Sequence, residues 1–213
     1  MAPAAPRLAP ARARGGARRR QLLDIACAQF LANGYDGTSM DAIVAAAGGS
    51  KATLYRHFDN KEALFAACIG HLCDEFLARL QVIDVREASF DDGLRTILTE
   101  LVAVVGSPRH VDFYRLVVAG AHVPGVGEAW HAHGPQVWHR LIATLLQRLR
   151  DEGQLSPASG LPLPVVAEML FDTLLSHLLI ETAILGRGID RTRAMARVDA
   201  VVALARQALG VAD

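Results

Sequence analysis

The residues best suited to chemistry in this 213-residue sequence are polar and basic side chains in one short segment. Lys51, Thr53 and Arg56 carry hydroxyl or cationic groups, whereas Leu54 and Phe58 are apolar and four positions apart. In a helix this spacing turns the two apolar residues to one face and the polar residues away from it. Hydroxyl, ammonium and guanidinium groups hydrogen-bond the base edges and phosphates of DNA. The pattern therefore predicts a helix that is anchored by one face and contacts DNA by the other.

A second short helix and a glycine turn must position that segment. Thr38 is the predicted N-cap of this helix, and Asp41 takes the reciprocal position of a capping box three residues later. Gly48-Gly49 ends the helix, and Ser50 caps the next one. Two short helices joined by a tight glycine turn form the helix-turn-helix unit, here at 40–59, that docks in a major groove. The same spacing also fits an ordinary pair of antiparallel helices in a helical protein.

The charge of the sequence is unevenly distributed, although it sums to zero. Residues 1–61 contain nine Lys and Arg against four Asp and Glu, and residues 62–213 contain thirteen against eighteen. A basic end joined to an acidic body indicates that the basic end binds a polyanion. Residues 1–16, rich in Pro, Gly, Ala and Arg, are predicted to form a disordered arm. This arm is either an anchor on the phosphates or in the minor groove of DNA, or a solubilising tail.

The remaining sequence predicts amphipathic helices with short breaks and no strand alternation. The first helix is expected to begin near Ala17 and to stop at Asn33-Gly34. The later helices are expected at about 61–80, 90–105, 110–119, 126–152 with an interruption at Gly134-Pro135, 162–186 and 190–209. The predicted fold is all-α, with an N-terminal three-helix helix-turn-helix domain at 17–77 and a larger helical domain at 78–213.

The stretch Arg19–Ala66 resembles the DNA-binding domain of TetR-family regulators. The matching positions are Ala26, Phe30, Gly34-Tyr35, Gly37-Thr38-Ser39, Ile43, Ala46-Ala47-Gly48, Ser50-Lys51, Thr53-Leu54-Tyr55, His57-Phe58 and Lys61-Glu62-Ala63-Leu64. The C-terminal part bears a weaker resemblance to AefR-like ligand-binding domains. One departure is Gly49, where the family usually has an apolar residue, often valine. The missing side chain predicts a looser turn, at a cost of about 1 kcal/mol.

The resemblance implies that the outward face of the third helix contacts DNA. It assigns contacts with bases to Lys51, Ala52, Thr53 and Arg56. It assigns contacts with phosphates to Tyr55, His57, Lys61 and the Thr38 cap. With the arginines that precede the first helix and the third-helix cap, the predicted DNA-binding residues are Arg18, Arg19, Thr38, Ser50, Lys51, Ala52, Thr53, Tyr55, Arg56, His57 and Lys61.

The resemblance also implies a homodimeric repressor that a small molecule releases from a palindromic operator, with two reading units about one helical turn of DNA apart. It assigns effector binding and dimerisation to the helical domain at 78–213. We expect the dimer interface at 162–186 and 190–209, because the first segment is apolar nearly all round; in a monomer the same segment would be a central core helix. Large side chains on the body helices are candidates for an effector cavity, although ordinary core packing explains them as well. The candidates are Phe113, Tyr114, Leu116, Val117, Trp130, Trp138, Met169, Phe171 and His177.

Other classes of function are disfavoured by what the sequence lacks. The eight histidines show no metal-ligand spacing, and there is no paired-carboxylate or nucleophile–base set. We therefore predict no metal site, no cofactor and no enzymatic activity. The competing enzyme hypothesis is a metallohydrolase that uses the histidine-rich middle of the chain. The three cysteines are expected to be buried and structural. A sequence-independent architectural DNA-binding protein is the other competing hypothesis.

A cytoplasmic location is expected from two features of the sequence. The basic N-terminus has no apolar segment behind it of the kind that a secretory signal requires. We also expect no segment with the roughly 18 apolar residues needed to span a bilayer, and therefore no membrane partner.

Overall fold

Helices provide the regular secondary structure of the described chain, which a computed structural model covers over residues 11–156 and 160–211. The all-α prediction is confirmed, since neither of these ranges contains a strand. The ten α-helices of the described ranges are Ala11–Asn33 (α1), Met40–Ala47 (α2), Lys51–His57 (α3), Lys61–Leu77 (α4), Phe90–Val105 (α5), Pro108–Ala119 (α6), Val126–His133 (α7), Pro135–Asp151 (α8), Leu163–Leu179 (α9) and Arg191–Leu209 (α10). A 3₁₀ turn, Ala78–Val82, follows α4, and a π-helical turn, Ile180–Ile184, follows α9.

Helix α1 begins at Ala11, six residues before the expected start near Ala17. Alanine and arginine have high helix propensities, and they offset the cost of about 1 kcal/mol for each residue of Gly15-Gly16. Residues 11–16 therefore belong to the helix rather than to the predicted disordered arm. The other part of that prediction, residues 1–10, lies outside the described residues.

The later helices begin and end close to the residues that the breakers indicated. Helix α5 occupies the predicted range, and its N-cap Ser89 accepts a hydrogen bond from the backbone N–H of Asp92 at 3.1 Å. Helix α6 begins two residues earlier than expected, at Pro108, because Ser107 caps it and proline is tolerated in a first helical turn. The predicted interruption lies at Gly134, between α7 and α8.

Helices α1 to α4 surround an N-terminal core. Leu22, Ala26 and Phe30 of α1 are buried against Ile43 of α2 and Leu54 of α3. The same core contains residues of α6 and α7, among them the other buried members Phe113, Leu116, Val117, Val123 and Val126. The two predicted domains therefore share apolar packing across the proposed boundary at 77/78.

Close approach of aromatic rings fixes this joint. Phe65 of α4 packs against Phe30 and Tyr35, with ring centroids 4.7 and 5.0 Å away. A Cβ atom at Gly120, which follows α6, would lie 2.5 Å from the Phe65 ring. Only glycine allows the chain to turn this close to the ring, so any side chain at position 120 would push α4 and α6 apart.

A surface network of ion pairs also links the N-terminal helices to the body. His71 Nε2 of α4 lies 2.8 Å from Asp24 Oδ1 of α1 and 3.5 Å from Glu75 Oε1. Glu75 Oε2 accepts a hydrogen bond from the Arg109 guanidinium of α6 at 2.6 Å. The side-chain atoms of Asp24, His71 and Glu75 that could bind a metal ion lie within 4.8 Å of one another. The sequence analysis missed this cluster because its residues come from two helices. Exposed pairs of this kind contribute about 0–1 kcal/mol each, so they set orientation more than stability.

Helix α9 and its π-helical continuation, Leu163–Ile184, are long and apolar enough by length and composition to cross a membrane. The expectation that no segment would reach that length was therefore wrong. The segment packs in the body core through Ala167, Phe171 and Leu174. Core helices of soluble proteins can be equally long and apolar. It is weak evidence for a membrane span.

Candidate nucleic-acid interface and ligand cavity

Helix α3 is held by its cap and by one apolar face. Ser50 Oγ accepts a hydrogen bond from the Thr53 backbone N–H at 3.2 Å and lies 3.0 Å from Thr53 Oγ1. Leu54 is fully buried, and Phe58, which ends the helix, is also buried. Both apolar residues lie on the inner face, as the spacing predicted. The helix therefore cannot rotate about its axis without exposing them.

The opposite face of α3 is open to solvent. Lys51, Ala52, Tyr55 and Arg56 are exposed, and Thr53 is half-buried. Lys51 Nζ pairs with Asp41 Oδ1 of α2 at 2.7 Å, and hydrogen bonding to that carboxylate raises the pKa of the Lys51 ammonium. In the free protein Asp41 thus holds Lys51 at the junction of α2 and α3.

The start of α2 differs from the prediction by one residue. Ser39 is the N-cap, and its Oγ accepts a hydrogen bond from the Ala42 backbone N–H at 3.1 Å. Thr38 is 2% exposed, and its hydroxyl lies 2.8 Å from the Gly34 carbonyl and 3.2 Å from that of Gln29. The predicted role of Thr38 as cap and phosphate contact is therefore wrong for its side chain, which is turned inward to close the α1–α2 loop. The exposed Ser39 takes the capping role.

The turn between α2 and α3 involves an arginine of α1. Gly48 takes the left-handed conformation, with φ 57°. The half-buried Arg18 donates a hydrogen bond from Nη2 to the Ala47 carbonyl at 3.3 Å, at the C-terminal end of α2. A Cβ atom at Gly49 would lie 2.5 Å from the same Nη2 atom. The absent side chain at position 49 thus gives Arg18 the space to satisfy this carbonyl.

Two basic side chains near α3 lie over aromatic rings. The guanidinium of Arg19 lies 4.9 Å from the Phe58 ring centroid, and Lys61 Nζ lies 4.1 Å from that of Tyr35. Each contact contributes about 0.5–1 kcal/mol at exposed sites and fixes where the charge sits. His57 is half-buried, and its buried Nε2 has no hydrogen-bond partner, so that nitrogen does not face solvent. Arg19 of α1 and Lys61 of α4 are thus each held over an aromatic ring of the N-terminal helical unit.

A small cavity of about 30 Å³ lies in the body, between α4, α5, α6, α7, α8 and α9. Its aromatic lining residues are Phe76, Phe113, Tyr114, Trp130, Trp138 and Phe171. All of these except Phe76 were candidates from the sequence. The remaining lining residues are mostly aliphatic, with Cys73 and His110 as the polar members.

Four other candidates do not line this cavity. Leu116 and Val117 are buried in the N-terminal core, because the face of α6 that carries them packs toward α1 and α4. Met169 is 63% exposed on the outer face of α9. His177 lines a separate cavity between α9 and α10. Helical periodicity identified buried faces, but it could not tell which neighbour each face meets.

His110 was missed by the sequence analysis, although it lies three residues before Phe113 on the same helical face. Its side chain is 9% exposed, and its Nδ1 atom is buried without a hydrogen-bond partner. The ring makes edge contacts with Phe76 and Phe113, at centroid distances of 5.0 and 5.7 Å. Burial lowers the pKa of His110 to about 4. The imidazole is therefore neutral at neutral pH.

The three cysteines are free and buried, as expected. Burial raises the pKa of the Cys73 thiol to about 12 and raises that of Cys68 well above its usual range. Thiols that stay protonated are poor nucleophiles and poor redox sensors.

The chain matches two models of protein families. Residues 22–68 match the model of bacterial regulatory proteins of the tetR family. Residues 92–205, more than half of the chain, match that of the AefR-like transcriptional repressor C-terminal domain.

Similar curated proteins are transcriptional repressors rather than enzymes. The chain is 36% identical over 103 residues to the DNA-binding transcriptional repressor TetR of Mycobacteroides abscessus, a match that covers 46% of this chain and 45% of the relative. It is 41% identical over 61 residues to the HTH-type transcriptional repressor ComR of Escherichia coli, covering 29% of each. These matches thus span less than half of the length of either relative.

Solved structures match almost the whole fold. A TetR-family transcriptional regulator from Mesorhizobium loti superposes with a TM-score of 0.78 at 28% identity, covering 91% of this chain and 97% of that one. The flavonoid-responsive regulator FrrA superposes with a TM-score of 0.77 at 26% identity, with the same coverage. Because one family model matches the helix-turn-helix unit and the other matches the helical body, the chain belongs to the TetR family of transcriptional regulators.

Proposed function

We propose that the protein is a homodimeric, sequence-specific DNA-binding repressor that a small-molecule effector releases from a palindromic operator. The observation that carries the proposal is the division of α3 into a buried face and an open polar face. Tyr55 and Arg56 project from the open face, and Lys61 and Arg19 flank it. This arrangement suits a helix that reads base edges while cations on either side bind phosphates.

An unpartnered apolar surface on α9 and α10 supports dimerisation. Along 163–185 the exposed apolar residues are Val165, Met169, Ile180, Ile184 and Leu185, and α10 adds Leu204. Met169 and Ile184 are 63% and 73% exposed. Apolar patches on this scale mark interaction surfaces in soluble proteins. A second copy of the chain, related by a two-fold axis, would cover this surface and place two α3 helices on one face of DNA.

The position of α4 supports release by an effector. Cys73 and Phe76, near the C-terminal end of α4, line the body cavity, whereas Lys61 begins the helix beside the DNA-facing surface. A molecule that displaced the cavity end of this helix would also move its other end. The spacing of the two α3 helices in a dimer would then no longer fit the operator. The similar regulator FrrA is flavonoid-responsive, which supports a small-molecule effector here as well.

Substitution on the open face tests the proposal. The bound sites are first identified by genomic footprinting, and the affinity for the recovered operator is then measured by fluorescence anisotropy at fixed salt. Arg56→Ala should weaken operator binding by about 10- to 100-fold, corresponding to about 1–3 kcal/mol for a base contact. The matched control is Arg140→Ala on α8, an exposed arginine far along the chain from the helix-turn-helix unit, and it should leave the affinity unchanged. Equal effects of the two substitutions would contradict the proposed interface.

A further inference from the structure

We propose that Asp41 of α2 determines how strictly the protein discriminates between its operator and other DNA, because its carboxylate holds the ammonium group of Lys51 in one place. The inference rests on the proposed DNA-binding function and names a residue that controls it. Asp41 acts through Lys51, so it is a positioning residue. Two features carry the inference: the geometry of the ion pair and the negative charge of Asp41 beside the open face of α3.

The ion pair joins the two helices of the helix-turn-helix unit. Lys51 Nζ, at the first residue of α3, lies 2.7 Å from Oδ1 of Asp41, the second residue of α2. The lysine ammonium ends a flexible four-carbon chain, whereas the aspartate carboxylate is one carbon away from the backbone. Helix α2 is itself anchored by the buried Ile43. The short side chain of Asp41 therefore decides where the ammonium group lies.

The charge of Asp41 is unfavourable on a surface that binds a polyanion. Its side chain is 67% exposed and contacts a residue of the open face of α3, so it lies at the edge of that face. An acidic residue in a first helical turn is stabilised by the helix dipole, which explains why aspartate is tolerated there. The dipole does not explain the contact with Lys51. Without that contact the carboxylate would repel the phosphates of any DNA.

The pair treats base edges and phosphates differently. An ammonium group has three N–H donors, so Lys51 can keep its bond to Asp41 and donate to a base acceptor at the place where the pair holds it. A phosphate at another place draws the ammonium away and leaves the carboxylate facing the polyanion. Base edges carry the sequence information, and phosphates do not. Asp41 therefore lowers the affinity for random DNA more than the affinity for the operator.

Asp41→Asn tests the inference, because the amide keeps the shape of the side chain and removes its charge. The affinities of the full-length proteins for the footprinted operator and for a scrambled duplex of equal length are measured by fluorescence anisotropy over a series of salt concentrations. Lys51→Met, alone and combined with Asp41→Asn, completes a double-mutant cycle. The matched control is Asp36→Asn, which removes an equal charge from an exposed residue between α1 and α2. Thermal unfolding confirms that each variant is folded, and Asp41→Ser replaces Asp41→Asn if the amide destabilises α2.

We expect Asp41→Asn to bind the scrambled duplex about fivefold more tightly than the native protein does, as the loss of one exposed ion pair permits. The slope of log affinity against log salt should steepen by about 0.9, because the released Lys51 gains one phosphate. Operator affinity should change by less than about twofold, since weaker repulsion of phosphates is offset by a less well placed Lys51. The ratio of the two affinities should therefore fall. In the Lys51→Met background Asp41→Asn should leave the salt slope unchanged, because that chain has no ammonium at position 51 to release.

An equal gain in affinity for both duplexes, or the same response to Asp36→Asn, would overturn the inference, because it would reveal a general effect of charge. A salt slope that steepens equally in the Lys51→Met background would overturn the role of the ion pair. A native protein that binds both duplexes equally would instead overturn the proposed sequence-specific function. The salt slope on the scrambled duplex would still test the pair in that case, so the two failures are distinguishable.

Discussion

Arg18 and Gly49 form a pair in which a large side chain fills the space that a small residue leaves. The guanidinium of Arg18 reaches the Ala47 carbonyl through the position where a Cβ of residue 49 would lie. The sequence identified Gly49 only as a missing apolar side chain, because nothing in a linear pattern joins it to a residue of α1. In the structure the turn is tied to α1 by a hydrogen bond rather than loosened.

Gly49→Val should reveal this pairing in a double-mutant cycle. The backbone of Gly49 is outside the left-handed region, so valine is permitted there, but its side chain would displace Arg18 from the end of α2. We expect Gly49→Val alone to lower the free energy of unfolding by about 1 kcal/mol. In an Arg18→Ala background the same substitution should cost little or should stabilise, because the added side chain fills vacated space. The check is chemical denaturation of the four proteins; additive effects would show that the two residues are not coupled.

His110 predicts a loss of stability in acid. Its pKa of about 4 in the folded protein lies below the ordinary value of 6.5, so the unfolded chain takes up a proton at a higher pH than the folded chain does. The contribution of His110 is therefore fully present above about pH 6.5 and is lost as the pH falls toward 4. Over that window the free energy of unfolding should fall by up to about 3 kcal/mol on account of this group.

Denaturation of His110→Phe across the same pH window checks this prediction. The variant should lose less stability in acid than the native protein, because it lacks the titrating group. Phe113→Leu is the matched control, since it disturbs packing at the same cavity wall and removes no titratable group. An acid dependence that is the same in His110→Phe and in the native protein would show that folding does not lower the pKa of His110.

Helices α9 and α10 carry exposed apolar residues that the proposed dimer would cover. The inner residues of α9, such as Leu174 and Leu178, are buried in the body core, whereas Met169 and Ile184 are open. The π-helical turn that follows α9 gives Leu185 a hydrogen bond from its N–H to the Ile180 carbonyl at 2.9 Å and carries Ile180 and Ile184 outward.

Charges on this surface should therefore prevent self-association. Met169→Glu combined with Ile184→Glu places two like charges on each copy, which a two-fold contact would bring together at a desolvated interface. We expect the double variant to sediment as a monomer at micromolar concentration, where the native protein sediments as a dimer. Thr144→Glu, on the exposed side of α8, is the control and should leave the dimer intact. A native protein that is itself monomeric under these conditions would contradict the proposed interface.

The helices could be located from the sequence because their boundaries are local. Helix α5 begins after Ser89 and ends at Gly106, and α6 begins where Ser107 caps Pro108. These signals involve neighbours along the chain. Thr38 and Ser39 are both good caps, so the sequence could not decide which hydroxyl would turn inward. Packing decided it, because the carbonyls of Gln29 and Gly34 lie within reach of Thr38.

The members of the cavity were harder to predict because they depend on contacts between distant helices. Trp138 and Phe171, two of the candidates from the sequence, line its wall, and both belong to strongly apolar helical faces. Leu116 and Val117 belong to an equally apolar face, but α6 presents it to the N-terminal core. His110 carried no signal beyond its spacing from Phe113, and its importance became visible only with its burial.

Helix α4 joins the region of the exposed α3 helix to the body cavity. Helix α4 begins at Lys61 beside the Tyr35 ring and ends at Leu77 in the body core. Its middle packs on α1 and α7, so the N-terminal unit and the body form a connected apolar structure. This connection is what a regulator needs if a ligand in the body is to change the geometry at the DNA.

The central claim is sequence-specific recognition of DNA by the open face of α3. The most direct measurement is the ratio of affinities for the footprinted operator and for a scrambled duplex of equal length, at one physiological salt concentration. We predict that the operator is bound at least about 10³-fold more tightly, which is the lower range for specific regulators. A ratio near one would contradict the account, because it would identify a protein that binds DNA through phosphates alone.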